Sequence, residues 1–185
     1  MIKINMGCGW RDFGEGWTHI DGGDYPHLDS KDIFNLPYED NSVDLVYASH
    51  VIEYFDRDEV RNVLNEWIRV LKPKGILRLA VPDFEVMVGL YFDKQCSLDK
   101  FLGPLYGKMS MGDETIYHRT TYDFKSLKSL LKSLDMKNII EYDWEETEHL
   151  DLDDHSQAYI PHMDKENGTL ISLNVECIKS NRGDI

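Results

Sequence analysis

Three kinds of residue in this chain could do chemistry together. In "INMGCGWRDFGEGWTHID", Gly7 and Gly9 flank Cys8 directly after an apolar run. Glycines this close together let a ligand approach backbone that a side chain would block. Asp21 ends the stretch, ahead of Gly22 and Gly23, and a carboxylate can accept from two hydroxyls at once through its two oxygens. Seven histidines, among them His118 in "YHRTTYDF", titrate near neutral pH and can serve as general bases. His149, His155 and His162 beside Asp151 to Asp154 match no EF-hand or zinc spacing, and Cys8, Cys96 and Cys177 lack CxxC spacing, so no metal site is signalled. That histidine and aspartate stretch reads as a solvated acidic loop, placed to rim an acceptor site or to meet a second subunit.

The glycine turn fails as a dinucleotide fingerprint. Asp12 stands where GxGxxG needs its third glycine. Only residues 10–16 separate Gly9 from Trp17, and a parallel crossover with a full helix needs about a dozen or more. Without that helix no strong N-terminus is available to hold a pyrophosphate, and Arg11 sits beside Asp12 and Glu15. The pocket suits a ligand with positive charge and neutral hydroxyls, with Asp21 on two ribose hydroxyls.

Short β-branched runs alternate with helix-period segments, which implies an α/β sheet. The candidate strands are Ile2 to Met6, Thr18 to Asp21, Val43 to Ala48, Ile76 to Val81, Lys137 to Asp143 and Thr169 to Lys179. A helix from Asp56 carries Val60, Val63, Leu64, Trp67, Ile68 and Leu71 on one stripe, with Asp56 and Glu59 as a capping box and "KPKG" as its stop. A second runs from about Asp123 to Leu134. Val43 to Ala48, the first helix and Ile76 to Val81 form a βαβ unit with parallel strands. Ligands bind beyond the carboxyl ends of such strands, which nominates Gly7 to Trp10, Asp21 to Gly23, Ser49 to Ile52 and Pro82 to Asp83 as one cluster.

The length of 185 residues suits one domain, 1–185. Against 34 Asp and Glu the chain carries 20 Lys and Arg, a net charge of −14, which repels nucleic-acid phosphates and anionic membrane surfaces. No apolar stretch approaches the length of a membrane span, so a cytoplasmic protein is expected. Residues 91–120 mix aromatics, methionines and glycines without period and read as a substrate-lid insertion, while 144–168 is the acidic loop between the last two strands.

"INMGCG", "HID", "DIFNLPYEDNSVDLVYASHVIEYF" and "LKPKGILRLAVPD" together resemble the class I S-adenosylmethionine-dependent methyltransferases, most of all their small type-11-like members. The resemblance covers residues 1 to about 90, and "TYDFKSLKSLLKSLDMKNIIEYD" and "GTLISLNVECIK" resemble the family's closing helix and strands. It implies a Rossmann-like, mostly parallel sheet with an antiparallel last strand and helices on both faces, here with a shortened first crossover. The cofactor implied is S-adenosyl-L-methionine. Gly7, Cys8 and Gly9 would pass under its methionine part, Asp21 would hold the ribose, and Asp32 with Ile33 would read the adenine. Ser49 and His50 would lie near the methionine moiety, with Trp10 and Gly22 as loop neighbours in the same set. Asn5 replaces the family's usual acidic residue and Arg11 its third glycine.

Methyl transfer needs chiefly alignment and a dry site. A hydroxyl acceptor gains from a base, and His118 resembles a family histidine facing the acceptor; anchoring its loop is the alternative role. Asp83 is the second catalytic candidate, with capping of "FEVMVGLYF" as its alternative. The expected activity moves a methyl group to a small polar acceptor, an oxygen of a sugar or related metabolite, in a monomer or homodimer. A non-catalytic cofactor-binding partner subunit and a nicotinamide-dependent oxidoreductase are the competing readings.

Overall fold

The structure, a computed structural model, describes residues 1–112 and 114–181. Residue 113, inside the expected lid, and the chain end at 182–185 lie outside the described residues. A six-stranded sheet organises the chain in the order β2-β1-β3-β4-β10-β7. β1 (Lys3–Met6) pairs in parallel with β2 (Trp17–Ile20) and β3 (Val43–Ser49), and β3 pairs in parallel with β4 (Leu71–Pro82). β10 (Ser172–Lys179) runs antiparallel to both β4 and β7 (Met136–Glu141). The antiparallel last strand and the parallel βαβ unit are as expected.

Between β1 and β2 there is a loop and no helix, so the first crossover is short. Beyond β2, the isolated bridge of Ile20 with Ser30 is the remaining pairing at that edge among the described residues. The expected last strand divides. Thr169–Leu170 (β9) pairs with Tyr159–Ile160 (β8) in a separate hairpin, because the Ile171 N–H turns to Ala158 O while its carbonyl accepts from Asp83 N.

α1 (Glu59–Val70) starts three residues later than expected, with Asp58 at its N-cap, and Leu71 and "KPKG" open β4 instead of closing the helix, but the expected reciprocal bonds form. Asp56 Oδ1 accepts from Glu59 N at 2.9 Å, and Glu59 Oε2 accepts from Asp56 N at 3.2 Å. Its stripe of Val60, Val63, Leu64 and Trp67 buries fully against Ile4, Val46, Leu77 and Leu79 of the sheet. α4 (Phe124–Ser133) adds Leu127 and Leu131 to the same core and is capped by a box of Asp123 and Ser126. Such burial of large apolar side chains contributes about 1.5–3 kcal/mol each.

The opposite sheet face is covered differently. Tyr47 OH donates to Asp154 Oδ2 at 2.5 Å and Asn174 Nδ2 donates to Ser156 O, while the Phe13 and His149 rings lie 5.8 Å and 4.3 Å from the Tyr47 ring. Helical cover here is reduced to 3₁₀ turns at Trp144–Glu146 and His155–Gln157. The expectation of a solvated acidic loop at 144–168 is therefore corrected: Trp144, Thr147, His149, Asp154, Ser156 and Gln157 are buried. With no helix in the first crossover to occupy this face, the loop takes its place.

Residues 91–120 contain the end of α2 (Phe84–Phe92), the short α3 (Leu102–Tyr106) and a hairpin of β5 (Met109–Met111) with β6 (Glu114–Ile116). Among the described residues no helix is long and apolar enough to cross a membrane.

Candidate active site

Two cavities meet at the carboxyl end of the parallel strands. The smaller, about 390 Å³, is lined by Gly7, Asp21, Gly22, Ile33, Phe34, His50, Val51 and Phe55, with Met111 and Arg119 at its outer wall. The larger, about 640 Å³, is lined by Cys96, Pro104, Met109, His118, His155, Ile160, His162 and Ile171. His50, Tyr54 and Met109 belong to both walls, so the chambers share a partition. Volumes of this size suit small ligands.

The Gly7 loop is held from both sides. The Gly7 N–H donates to Ile20 O at 2.7 Å, and at φ +63° a Cβ would lie 2.3 Å from Val51 Cγ2, so glycine is required there. Asp21 is 5 % exposed; Oδ2 accepts from Gly9 N at 2.8 Å and Oδ1 from Gly23 N at 2.7 Å. Each oxygen keeps a lone pair beyond that bond. Opposite, Trp67 Nε1 donates to Ile33 O at 2.9 Å and seats the Ile33 backbone, and Phe34 meets Phe55 edge to face at 5.7 Å.

The other expected cofactor residues divide. Cys8 is buried with Sγ 3.6 Å from His27 Nε2, and burial with Asp21 nearby pushes its thiol up to about 12, so it is not a nucleophile. Trp10 is 68 % exposed, stacks on Arg11 and lines neither cavity. Asp32 is exposed and uses its carboxylate on Asn35 Nδ2 and on the N–H groups of Phe34 and Asn35, which holds it below the usual carboxylate range. Ser49 is half-buried, with an unpartnered Oγ. His50 sits at φ +55°, a strained position for a non-glycine residue, with Nε2 3.2 Å from Ser172 Oγ. Burial, then His155 and His118, drive its pKa well down.

On the catalytic side, His118 lines the larger cavity and stands edge to face on Tyr54 at 4.5 Å. Its Nδ1 lies 2.9 Å from Pro104 O, and a carbonyl only accepts, so Nδ1 carries the proton and Nε2 is free. Burial lowers its pKa, which keeps the ring neutral. Asp83 instead caps α2, accepting from Glu85 N and Val86 N, and lines neither cavity. His155 and His162, from the 144–168 loop, reach the larger cavity.

Sequence reasoning missed Glu53. It lies in the 3₁₀ turn Ile52–Tyr54 after β3, 0 % exposed, with neither carboxyl oxygen hydrogen-bonded. Its Oε1 is 3.7 Å from His50 Nδ1 and 3.8 Å from His118 Nε2. The available signal was its place just past a parallel strand end. Phe34, Tyr54 and Phe55 were missed on the same wall.

Residues 19–79 match the family described as "Methyltransferase domain", of the type-11 kind. About a third of the chain is thus similar to that family. It is 32 % identical over 117 residues to a demethylmenaquinone methyltransferase of Staphylococcus haemolyticus, a match covering 58 % of this chain and 45 % of that protein. The chain thus spans less than half the length of the curated relatives it matches. A SAM-dependent methyltransferase from Archaeoglobus fulgidus superposes with a TM-score of 0.57 at 14 % identity, over 96 % of this chain and 86 % of that one. A Burkholderia thailandensis 1,6-didemethyltoxoflavin-N1-methyltransferase, solved with bound 1,6-didemethyltoxoflavin and S-adenosylhomocysteine, superposes with a TM-score of 0.55 at 11 % identity, over 97 % of this chain and 71 % of that one. At these identities the likeness is one of fold, the Rossmann-like, mostly parallel sheet found here.

Proposed function

We propose that the protein is an S-adenosylmethionine-dependent methyltransferase acting on an oxygen of a small-molecule acceptor. The observation that carries this is the shared wall: a chamber floored by Gly7 and Asp21 opens, across His50 and Tyr54, onto one lined by His118. The residues of the smaller chamber fit the cofactor. Asp21 has lone pairs to spare for two ribose hydroxyls, and Ile33, Phe34 and Phe55 offer flat apolar surface to a base. When bound, the cofactor supplies a methyl group on a sulfonium. Gly7 lets the ligand lie against backbone, and the enclosing walls exclude water.

His118 serves as the base: neutral, and with Nε2 free, it takes the acceptor's hydroxyl proton. Cys96, Pro104, Ile160 and Ile171 give the acceptor an apolar bed. A hydroxylated ring with an apolar face suits that bed better than the sugar expected from the sequence, and both belong in the screen. Segment 91–120, which contributes to both chambers, is the lid over them.

Titration calorimetry with S-adenosylmethionine, S-adenosylhomocysteine and NAD tests the reading. Saturable binding of the two sulfur ligands without NAD is expected, followed by methyl transfer to at least one hydroxylated acceptor. Binding of NAD alone, or of none, would refute it.

A further inference from the structure

The roles of the two chambers leave Glu53 unused. Glu53 has a carboxyl sealed from solvent with no hydrogen bond, although its own backbone carbonyl is well used, accepting from Arg119 N at 2.8 Å and Thr120 N at 3.2 Å. That double anchor holds the Glu53 backbone, and the carboxyl lies beside the imidazoles of both His50 and His118. The titratable groups around it are those two histidines, Tyr54 and Tyr122; both tyrosine hydroxyls are pushed up, by burial first and by Glu53 second. Arg119, a nearby cation, spends its guanidinium on Glu59 at 2.7 Å.

A carboxyl in such a place keeps its proton, because the charged form loses water and gains in return only the weak pull of its own backbone N–H. Burial accordingly pushes Glu53 up to about 8. Its chain neighbours His50, Val51, Tyr54 and Phe55 line the smaller chamber, so a fixed cation arriving there would lie behind those residues from it. Opposite charge favours the ionised carboxyl. The two sulfur ligands differ in that charge: one is a sulfonium, the other a neutral sulfide.

Resting on the methyltransferase reading, we propose that Glu53 is a charge-sensing positioning residue that releases its proton when the sulfonium ligand binds and regains one from the acceptor through His118. The step balances. The acceptor O–CH₃ bond forms as the S–CH₃ bond breaks, and the electron pair of the broken bond stays on sulfur. The acceptor's hydroxyl proton passes to His118 Nε2 and on to the Glu53 carboxylate. One positive and one negative charge vanish together, leaving a neutral sulfide beside a neutral acid. The distances of 3.7 Å and 3.8 Å need to shorten by less than an ångström for proton transfer, as ligand-free sites commonly do on closing.

The test counts protons rather than turnover. Calorimetric titrations near pH 7 in phosphate and in Tris, buffers of different ionisation enthalpy, give the protons released per ligand bound. Roughly one is expected for S-adenosylmethionine, because a group titrating near 8 is mostly protonated at pH 7, and none for S-adenosylhomocysteine. In Glu53→Gln, which resembles the neutral acid in shape, the release is expected to vanish while S-adenosylhomocysteine binds as before. Equal proton counts for the two ligands, or undiminished release in the variant, would overturn the inference while leaving the methyltransferase reading intact. Wild-type protein that binds neither ligand would overturn both.

The wild-type protein alone provides a second measurement. Its preference for the sulfonium ligand over the sulfide should strengthen as pH rises toward about 8, by up to tenfold per unit, and then level off. A flat ratio would overturn the inference.

Discussion

Replacing Asp21 by alanine removes one carboxylate that does two jobs, and the structure lets each be sized. Within the protein it takes two backbone N–H groups, Gly9 at 2.8 Å and Gly23 at 2.7 Å, in a site 5 % exposed. A hydrogen bond to a charged group contributes roughly 1.5–3 kcal/mol, so even the low end gives a loss of about 3 kcal/mol for the pair. For a chain of this size each kcal/mol moves the melting temperature by about 2–4 °C, which predicts a fall of roughly 6–12 °C. Toward the ligand, the lost ribose contacts weaken S-adenosylmethionine binding by a further 1.5–3 kcal/mol or so, about 10- to 150-fold. Asp21→Asn should fall between, since its amide keeps one accepting oxygen but turns an NH₂ toward a backbone N–H. Differential scanning fluorimetry and calorimetric titration read the two effects separately. An alanine variant that melts and binds like the wild type would refute the assignment of Asp21 as the clasp of the loop and of the ribose.

Gly7→Ala combines a left-handed φ with a Cβ 2.3 Å from Val51 Cγ2, and should destabilise by about 2–5 kcal/mol in urea unfolding. Adding Val51→Ala should recover part of that loss; no recovery would show the clash to be misjudged. His118→Ala should lower turnover by about 10²–10⁴-fold with little change in cofactor affinity. Because burial lowers the His118 pKa, the acidic limb of the wild-type kcat/KM profile for the acceptor, taken at saturating S-adenosylmethionine, should lie below the ordinary histidine range, the base staying deprotonated to lower pH. Trp67→Ala should cost about 3–5 kcal/mol of stability, whereas Trp67→Phe keeps most packing, loses the bond to Ile33 O and should cost about 1 kcal/mol while loosening the cofactor chamber.

Where local chemistry decides structure, the sequence was readable. The reciprocal bonds of Asp56 and Glu59, the cap at Asp123 and the apolar runs of β3 and β4 depend on residues close in the chain. Asp21 was readable because its partners Gly9 and Gly23 flank the same short stretch. What was hidden depends on distant packing. Nothing in "SHVIEYF" says that its glutamate is sealed, since the residue that closes over it, His118, comes from another element. The 144–168 loop looked solvated because its acidic residues dominate its composition, yet Asp154 finds a buried tyrosine hydroxyl on β3. Asp83 shows the converse: a carboxylate in a nominated place whose bonds serve the first turn of α2.

The partition between the chambers restricts how this protein can change. His50 and Tyr54 face both sides, and His50 owes its aim to backbone strain as well as to neighbours. A substitution there alters donor and acceptor recognition in one stroke, so the wall is a poor starting point for a new substrate range. The far walls are free of that linkage: residues 95–104 and 159–163 border the larger chamber alone and belong to segments outside the central sheet. Diversity among close homologues, and libraries built in the laboratory, should therefore concentrate in those segments while the partition stays fixed.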